Sequence, residues 1–160
     1  MTNIIVGKPF AKGKKIHIVV GEFNEIVSDS LLNGAVDAYC NFGGNPDDLT
    51  IIKVPGAFEI PGAVKIAVEN SFPDAVVTLG AIIRGGTPHF DFVATESSRR
   101  ISELSLKYNI PVMFGILTTN DLKQALERAG TKAANKGWEV MESALKTISV
   151  YEQISDSETF

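Results

Sequence analysis

Short apolar runs that suit strands alternate along the chain with longer stretches whose apolar residues recur every three or four positions. The first run is Lys15-Ile16-His17-Ile18-Val19-Val20, and His17 within it reads as a satisfied or edge-facing structural histidine. Val27, Leu31, Ala35 and Ala38 then predict a helix from Asn24 to Cys40. A turn cluster from Gly43 to Asp48 precedes a second strand, Leu49 to Val54. Ile60, Ala63, Val64 and Ala67 form the inward stripe of the next helix, and Pro61 suits its first turn. The third run, Ala75 to Ile83, is apolar apart from Thr78 and Gly80 and reads as a buried strand. Its helix carries Val93, Ser97, Ile101, Leu104 and Tyr108 on one face, with Arg99 and Arg100 as solvated charges. A fourth strand is predicted over 111–117, followed by helix-capping residues Thr118 to Asp121. Leu122, Ala125, Leu126 and Ala129 continue helically to Gly130. A last helix, Asn135 to Tyr151, puts Trp138, Met141, Leu145 and Ile148 on one face.

Strand then helix, four times over, with one helix added, predicts a parallel sheet covered on both faces. The fold class is α/β: a three-layer α/β/α sandwich, flavodoxin-like, with a four-stranded parallel sheet. At 160 residues the chain reads as a single domain, 1–160. Residues 1–12 form an N-terminal arm, whose Asn3-Ile4-Ile5-Val6 suits a short strand able to pair with a neighbouring chain. Residues 152–160 read as a frayed, flexible polar tail.

Composition narrows the partners. A chain 44% hydrophobic and 21% charged is not disordered. A net charge of −4 gives no electrostatic reason to expect nucleic acid or an anionic membrane, so any phosphate ligand needs a local site. The single cysteine, Cys40, excludes an internal disulfide and reads as a packing residue in apolar surroundings. No apolar run approaches the ~20 residues that span a bilayer, and no charged-then-apolar leader opens the chain, so a cytoplasmic location is expected. P-loop, GxGxxG, HExxH and CxxC patterns are all missing, and neither cofactor nor metal is expected.

The candidate chemistry lies where strands end. In a parallel sheet the strand C-termini share one rim, so Phe23, Ala57-Phe58-Glu59, Ile82 to His89 and Phe114 are expected together. Gly85 and Gly86 can take backbone angles that a Cβ forbids, turning their N–H groups on an anion at the start of the next helix. A plain tight turn is the bland alternative. His89 gives and takes a proton near neutral pH, although a loop histidine is often only a surface residue. Phe23 either faces a cleft or staples the helix behind it. Glu59 either complements the helix dipole or accepts ligand hydroxyls. Arg128, Lys132 and Lys136 are four apart, either as a solvated basic face or with the arginine clamping a phosphate. Gly130 interrupts the helix that would align them.

Five blocks in one order carry a family likeness: Gly21 to Asn24, Val54 to Pro61, Gly80 to Asp91, Phe114 to Thr118 and Glu127 to Gly137. Together they resemble the 6,7-dimethyl-8-ribityllumazine synthases. The resemblance implies a transferase that condenses 5-amino-6-(D-ribitylamino)uracil with 3,4-dihydroxy-2-butanone 4-phosphate, the penultimate step of riboflavin biosynthesis. It implies that Phe23 stacks on the pyrimidine, that Ala57, Phe58 and Glu59 hold the ribityl chain and ring edge, and that Ala81, Ile82 and Ile83 offer main-chain groups. It implies phosphate binding by Gly85, Gly86 and Thr87, and proton transfer by His89. Phe114 and Arg128 would enter from the adjacent subunit, Arg128 on the phosphate, with Lys136 nearby. The likeness further implies a pentamer, in some members assembled into a 60-mer capsid, and an association with riboflavin synthase. Two positions depart from the family pattern: Gly86 stands for a common Ala, and Ala134 for a frequent Gly. A ring-binding module without turnover and a shell protein are the alternatives to the enzyme.

Overall fold

The computed structural model describes residues 1–130 and 134–157. Its elements are β1 (Ile16–Gly21), α1 (Glu25–Asn41), β2 (Leu49–Val54), α2 (Ile60–Ser71), β3 (Ala75–Ile83), α3 (His89–Tyr108), β4 (Val112–Thr119), α4 (Leu122–Arg128) and α5 (Lys136–Asp156). The sheet order is β2-β1-β3-β4, and every pairing is parallel.

Alternation along the strands builds two cores. Ile16, Ile18 and Val20 of β1, with Ala75, Val77 and Leu79 of β3, face α1, α4 and α5. Val19, Val76 and Ile116 face α2 and α3. β3 is covered on both faces, which is why its sequence is apolar apart from Thr78 and Gly80. The Thr78 hydroxyl inside it donates to the Met113 carbonyl at 2.7 Å. α1 and α5 cross closely because two glycines permit it. A Cβ on Gly137 would lie 1.9 Å from the Leu31 carbonyl oxygen, and one on Gly34 would lie 2.2 Å from Asn135 Oδ1. Asn135 caps α5, its side chain accepting from the Trp138 N–H, and donates to the carbonyls of Ser30 and Ala129 at 2.9 and 2.8 Å. Trp138 itself packs on Phe42, ring centroids 5.9 Å apart.

Several local expectations are corrected. β4 runs to Thr119, because Thr118 and Thr119 pair with Ile82 and Ile83; Asp121 alone caps α4, accepting from the Gln124 N–H at 2.8 Å. α5 does not end at Tyr151 but continues to Asp156, where Gln153 Nε2 donates to the Val6 carbonyl and Glu152 pairs with Lys14. The N-terminal arm is thus laid against α5 of its own chain and forms no strand there. His17 is neither satisfied nor at an edge. β1 is an inner strand, the residue is 6% exposed, and its buried Nδ1 has no hydrogen-bond partner among the described residues. Loss of hydration lowers its pKa below the ordinary 6.5. Cys40 is exposed rather than packed.

Candidate active site

The site is assembled at the C-terminal ends of β1, β2 and β3. Past β1 and β2 the two segments stay paired: Glu22 N–H donates to the Val54 carbonyl at 2.8 Å and Phe23 N–H to the Pro55 carbonyl at 3.1 Å. The buried Ser28 hydroxyl, one turn into α1, donates to the Phe23 carbonyl at 3.1 Å. Asn24 follows in a left-handed conformation, φ 59°, which asparagine tolerates better than most residues. The backbone of Phe23 is therefore fixed while its ring is left 67% exposed.

A single 3-10 turn, Ala57–Glu59, leads from β2 into α2. Gly56 before it has a steric reason to be glycine. A Cβ there would lie 2.6 Å from Phe23 Cδ2 and 3.3 Å from Glu59 Oε2. The aromatic ring and the carboxylate thus converge on one point. Phe58 on the same turn is 62% exposed. Ala57 is buried, and its carbonyl accepts from the Ile60 N–H and from the Ser97 hydroxyl.

From β3, Ala81, Ile82 and Ile83 enter the same space. His89 is the first residue of α3, and Phe92 and Val93 stand three and four positions on, along the same helical face. The result is an open cleft of about 460 Å³. It brings together eight of the expected residues: Phe23, Ala57, Phe58, Glu59, Ala81, Ile82, Ile83 and His89. Asn24, Gly56, Phe92 and Val93 complete the wall. Glu59 and His89 are the titratable side chains of an otherwise largely apolar lining. Such a surface can stack a flat ring, take hydroxyls on a carboxylate and move a proton at an imidazole.

The remaining expected residues lie elsewhere. Gly85, Gly86 and Thr87 are exposed in the loop between Ile83 and His89, beside the cleft rather than in its wall. Neither glycine adopts a positive φ, and a Cβ on either would meet nothing within 4 Å, so no forbidden angle explains them. Arg84 ties the loop's two ends. Its Nε donates to Asn120 Oδ1 at 3.2 Å, a guanidinium nitrogen lies 3.6 Å from Asp91, and Cζ sits 4.3 Å from the Phe90 ring centre. Phe114 is not on the rim: it pairs with Thr78 in mid-strand, because β4 continues to Thr119. Arg128 is the exposed last residue of α4 and Lys136 the exposed first residue of α5, with neither in the cleft of its own chain. Two separate helices also rule out a continuous basic face through Arg128 and Lys136; Lys132, between them, lies outside the described residues.

Asn24, Gly56, Phe92 and Val93 were not foreseen as site residues. The signal for Phe92 and Val93 was their helical spacing from His89. Gly56 and Asn24 reveal themselves only through the packing of Phe23. Among the described residues no cluster of three or more His, Cys, Asp or Glu is placed to hold a metal, and no helix is long and apolar enough to cross a membrane.

Residues 13–152 match the 6,7-dimethyl-8-ribityllumazine synthase family. The 6,7-dimethyl-8-ribityllumazine synthase of Campylobacter hominis is 49% identical over 153 residues, covering 95% of this chain and 98% of the relative. That of Desulfatibacillum aliphaticivorans is 48% identical over 153 residues, 96% of this chain and 99% of the relative. A Sulfurovum protein of the same name is 49% identical over 140 residues, 88% and 90% of the two chains.

Proposed function

The chain belongs to the 6,7-dimethyl-8-ribityllumazine synthase family, and from that premise we propose how its own residues divide the work. It is a transferase of riboflavin biosynthesis, condensing 5-amino-6-(D-ribitylamino)uracil with 3,4-dihydroxy-2-butanone 4-phosphate and releasing phosphate and water. The observation that carries the site assignment is the convergence of Phe23, Glu59 and His89 from three strand ends on one cleft.

Phe23 stacks on the pyrimidine. Ala57, Phe58 and Glu59 take the ribityl chain and ring edge, Glu59 accepting hydroxyl protons in hydrogen bonds. Ala81, Ile82 and Ile83 offer main-chain groups at the end of β3. The phosphate is held over Gly85, Gly86 and Thr87 at the start of α3, where N–H groups and the helix dipole favour an anion. Phe114, Arg128 and Lys136 lie outside the cleft of their own chain. Their place in the reading is therefore the neighbouring subunit's site, with Arg128 clamping the phosphate by its fork of donors. The assembly proposed with it is a pentamer, with a 60-mer capsid as its larger form. A cytoplasmic location and an association with riboflavin synthase, the consumer of the product, complete the proposal. Residues 1–160 act as one domain, with 1–12 as an arm.

The substrate amine attacks the ketone, a carbinolamine loses water to give an imine, phosphate is eliminated, and the second nitrogen closes the ring with loss of water. The sequence is redox-neutral, and the amine is nucleophilic from the start. Positioning supplies most of the acceleration. His89 relays protons between the attacking nitrogen and the departing oxygens, a contribution of ~10²–10⁴-fold. Mixing the protein with both substrates and following lumazine fluorescence tests the activity. Growth of fluorescence that needs both substrates is expected; ring binding without it overturns the reading.

A further inference from the structure

Serine inside a helix ordinarily bonds back to a carbonyl three or four residues earlier, as Ser98 does to Thr95. Its neighbour Ser97 does not. It is 1% exposed, eight residues along α3 from His89, and its hydroxyl reaches the Ala57 carbonyl at 3.2 Å. Around it the α2–α3 core is apolar, with Val64, Val93, Ile101 and Leu104. A hydroxyl placed there is costly unless it is hydrogen-bonded, and its partner lies on another element, the turn after β2.

We infer that Ser97 is a positioning residue for the ribityl-pyrimidine end of the site. Its hydroxyl couples the helix that begins at His89 to the turn that carries Phe58 and Glu59. The inference rests on the reading of that turn as the holder of the ribityl-pyrimidine. The Ala57 carbonyl also accepts from the Ile60 N–H, so removing the serine hydroxyl strands no buried acceptor. What is lost is the link between two elements, rather than the satisfaction of either. Ser28 uses the same arrangement on the other wall: 2% exposed on α1, it holds the Phe23 carbonyl at 3.1 Å. The two backbone segments that present Phe23 and Phe58 to the cleft are thus each tied from behind by a buried hydroxyl. Displacements as small as ~1 Å cost heavily when positioning carries the rate, which gives the coupling its functional weight.

The test is S97A beside S97C. Both remove the strong donor, and the cysteine keeps the volume should the alanine variant fail to fold. With each substrate varied in turn, both variants are expected to raise KM for the ribitylaminouracil about 3- to 10-fold, the loss of one hydrogen bond's worth of alignment. KM for the butanone phosphate should stay within about twofold. Unchanged constants in both variants overturn the inference. So does a defect confined to S97A in which both KM values and the melting temperature move together, since that is a packing effect. E59Q separates the two levels. If E59Q raises the ribitylaminouracil KM and neither serine variant does, Ser97 has no positioning role. If E59Q itself leaves that KM untouched, the assignment of the turn fails and this inference with it.

Discussion

At the scale of single residues, the two histidines separate function from fold. His89 heads a helix at an open cleft, beside an exposed loop, and was legible from its place after a strand, a glycine pair and a proline. We expect His89→Ala to retain measurable turnover, kcat falling by ~10²–10⁴-fold with the melting temperature unchanged. A folded, substrate-binding variant with no turnover at all would show that proton transfer, not alignment, sets the rate. His17 was misjudged because a strand pattern says which face a residue takes, not whether a partner waits there. Burial holds its imidazole neutral, with a pKa below 6.5. The unfolded chain then takes up a proton that the folded chain refuses. Stability is whole above about pH 6.5 and declines as pH falls from there toward the depressed folded value. Melting temperature measured from pH 7 to 5 should therefore fall less steeply in His17→Leu than in the parent chain.

At the scale of elements, type and order were readable, because each strand and helix has a strong period of its own. Ends were not. Thr118 and Thr119 look like caps, yet the ladder to Ile82 and Ile83 keeps them in β4. Residues 152–156 look like a polar tail, yet Val6 and Lys14 give the end of α5 something to hold. Nor does any local signal mark Gly34 and Gly137 as the contact point of α1 and α5, since the constraint comes from a helix more than a hundred residues away. Gly137→Ala would push a methyl to 1.9 Å from a backbone carbonyl that cannot step aside. Chemical denaturation should register a loss of about 1–3 kcal/mol or more, while Gly62→Ala, where a Cβ meets nothing within 4 Å, should be tolerated.

At the scale of the whole molecule, the parallel order told where a site would lie, and the cleft is at that rim. It could not tell which residues belong to which copy. Phe114, Arg128 and Lys136 are not in the cleft lining of their own chain, and the proposal assigns them to a site shared between subunits. Complementation checks it. His89→Ala and Arg128→Ala proteins, unfolded together and reassembled, should regain activity above the mean of the two alone, because some junctions then join an intact His89 to an intact Arg128. No gain on mixing, in assemblies proven to be hybrid, would place all the working groups within one chain. On its own, Arg128→Ala should raise KM for the butanone phosphate and spare that for the ribitylaminouracil.

The position of Trp138 has a practical side. It is the chain's only tryptophan, and it sits against Phe42 in the layer of α1 and α5, whereas α3 and the turn after β2 form much of the cleft wall. Its emission maximum is thus a built-in gauge of whether that outer layer has become wet. A red shift that precedes the loss of lumazine formation during heating would mean that the two halves of the sandwich let go at different temperatures.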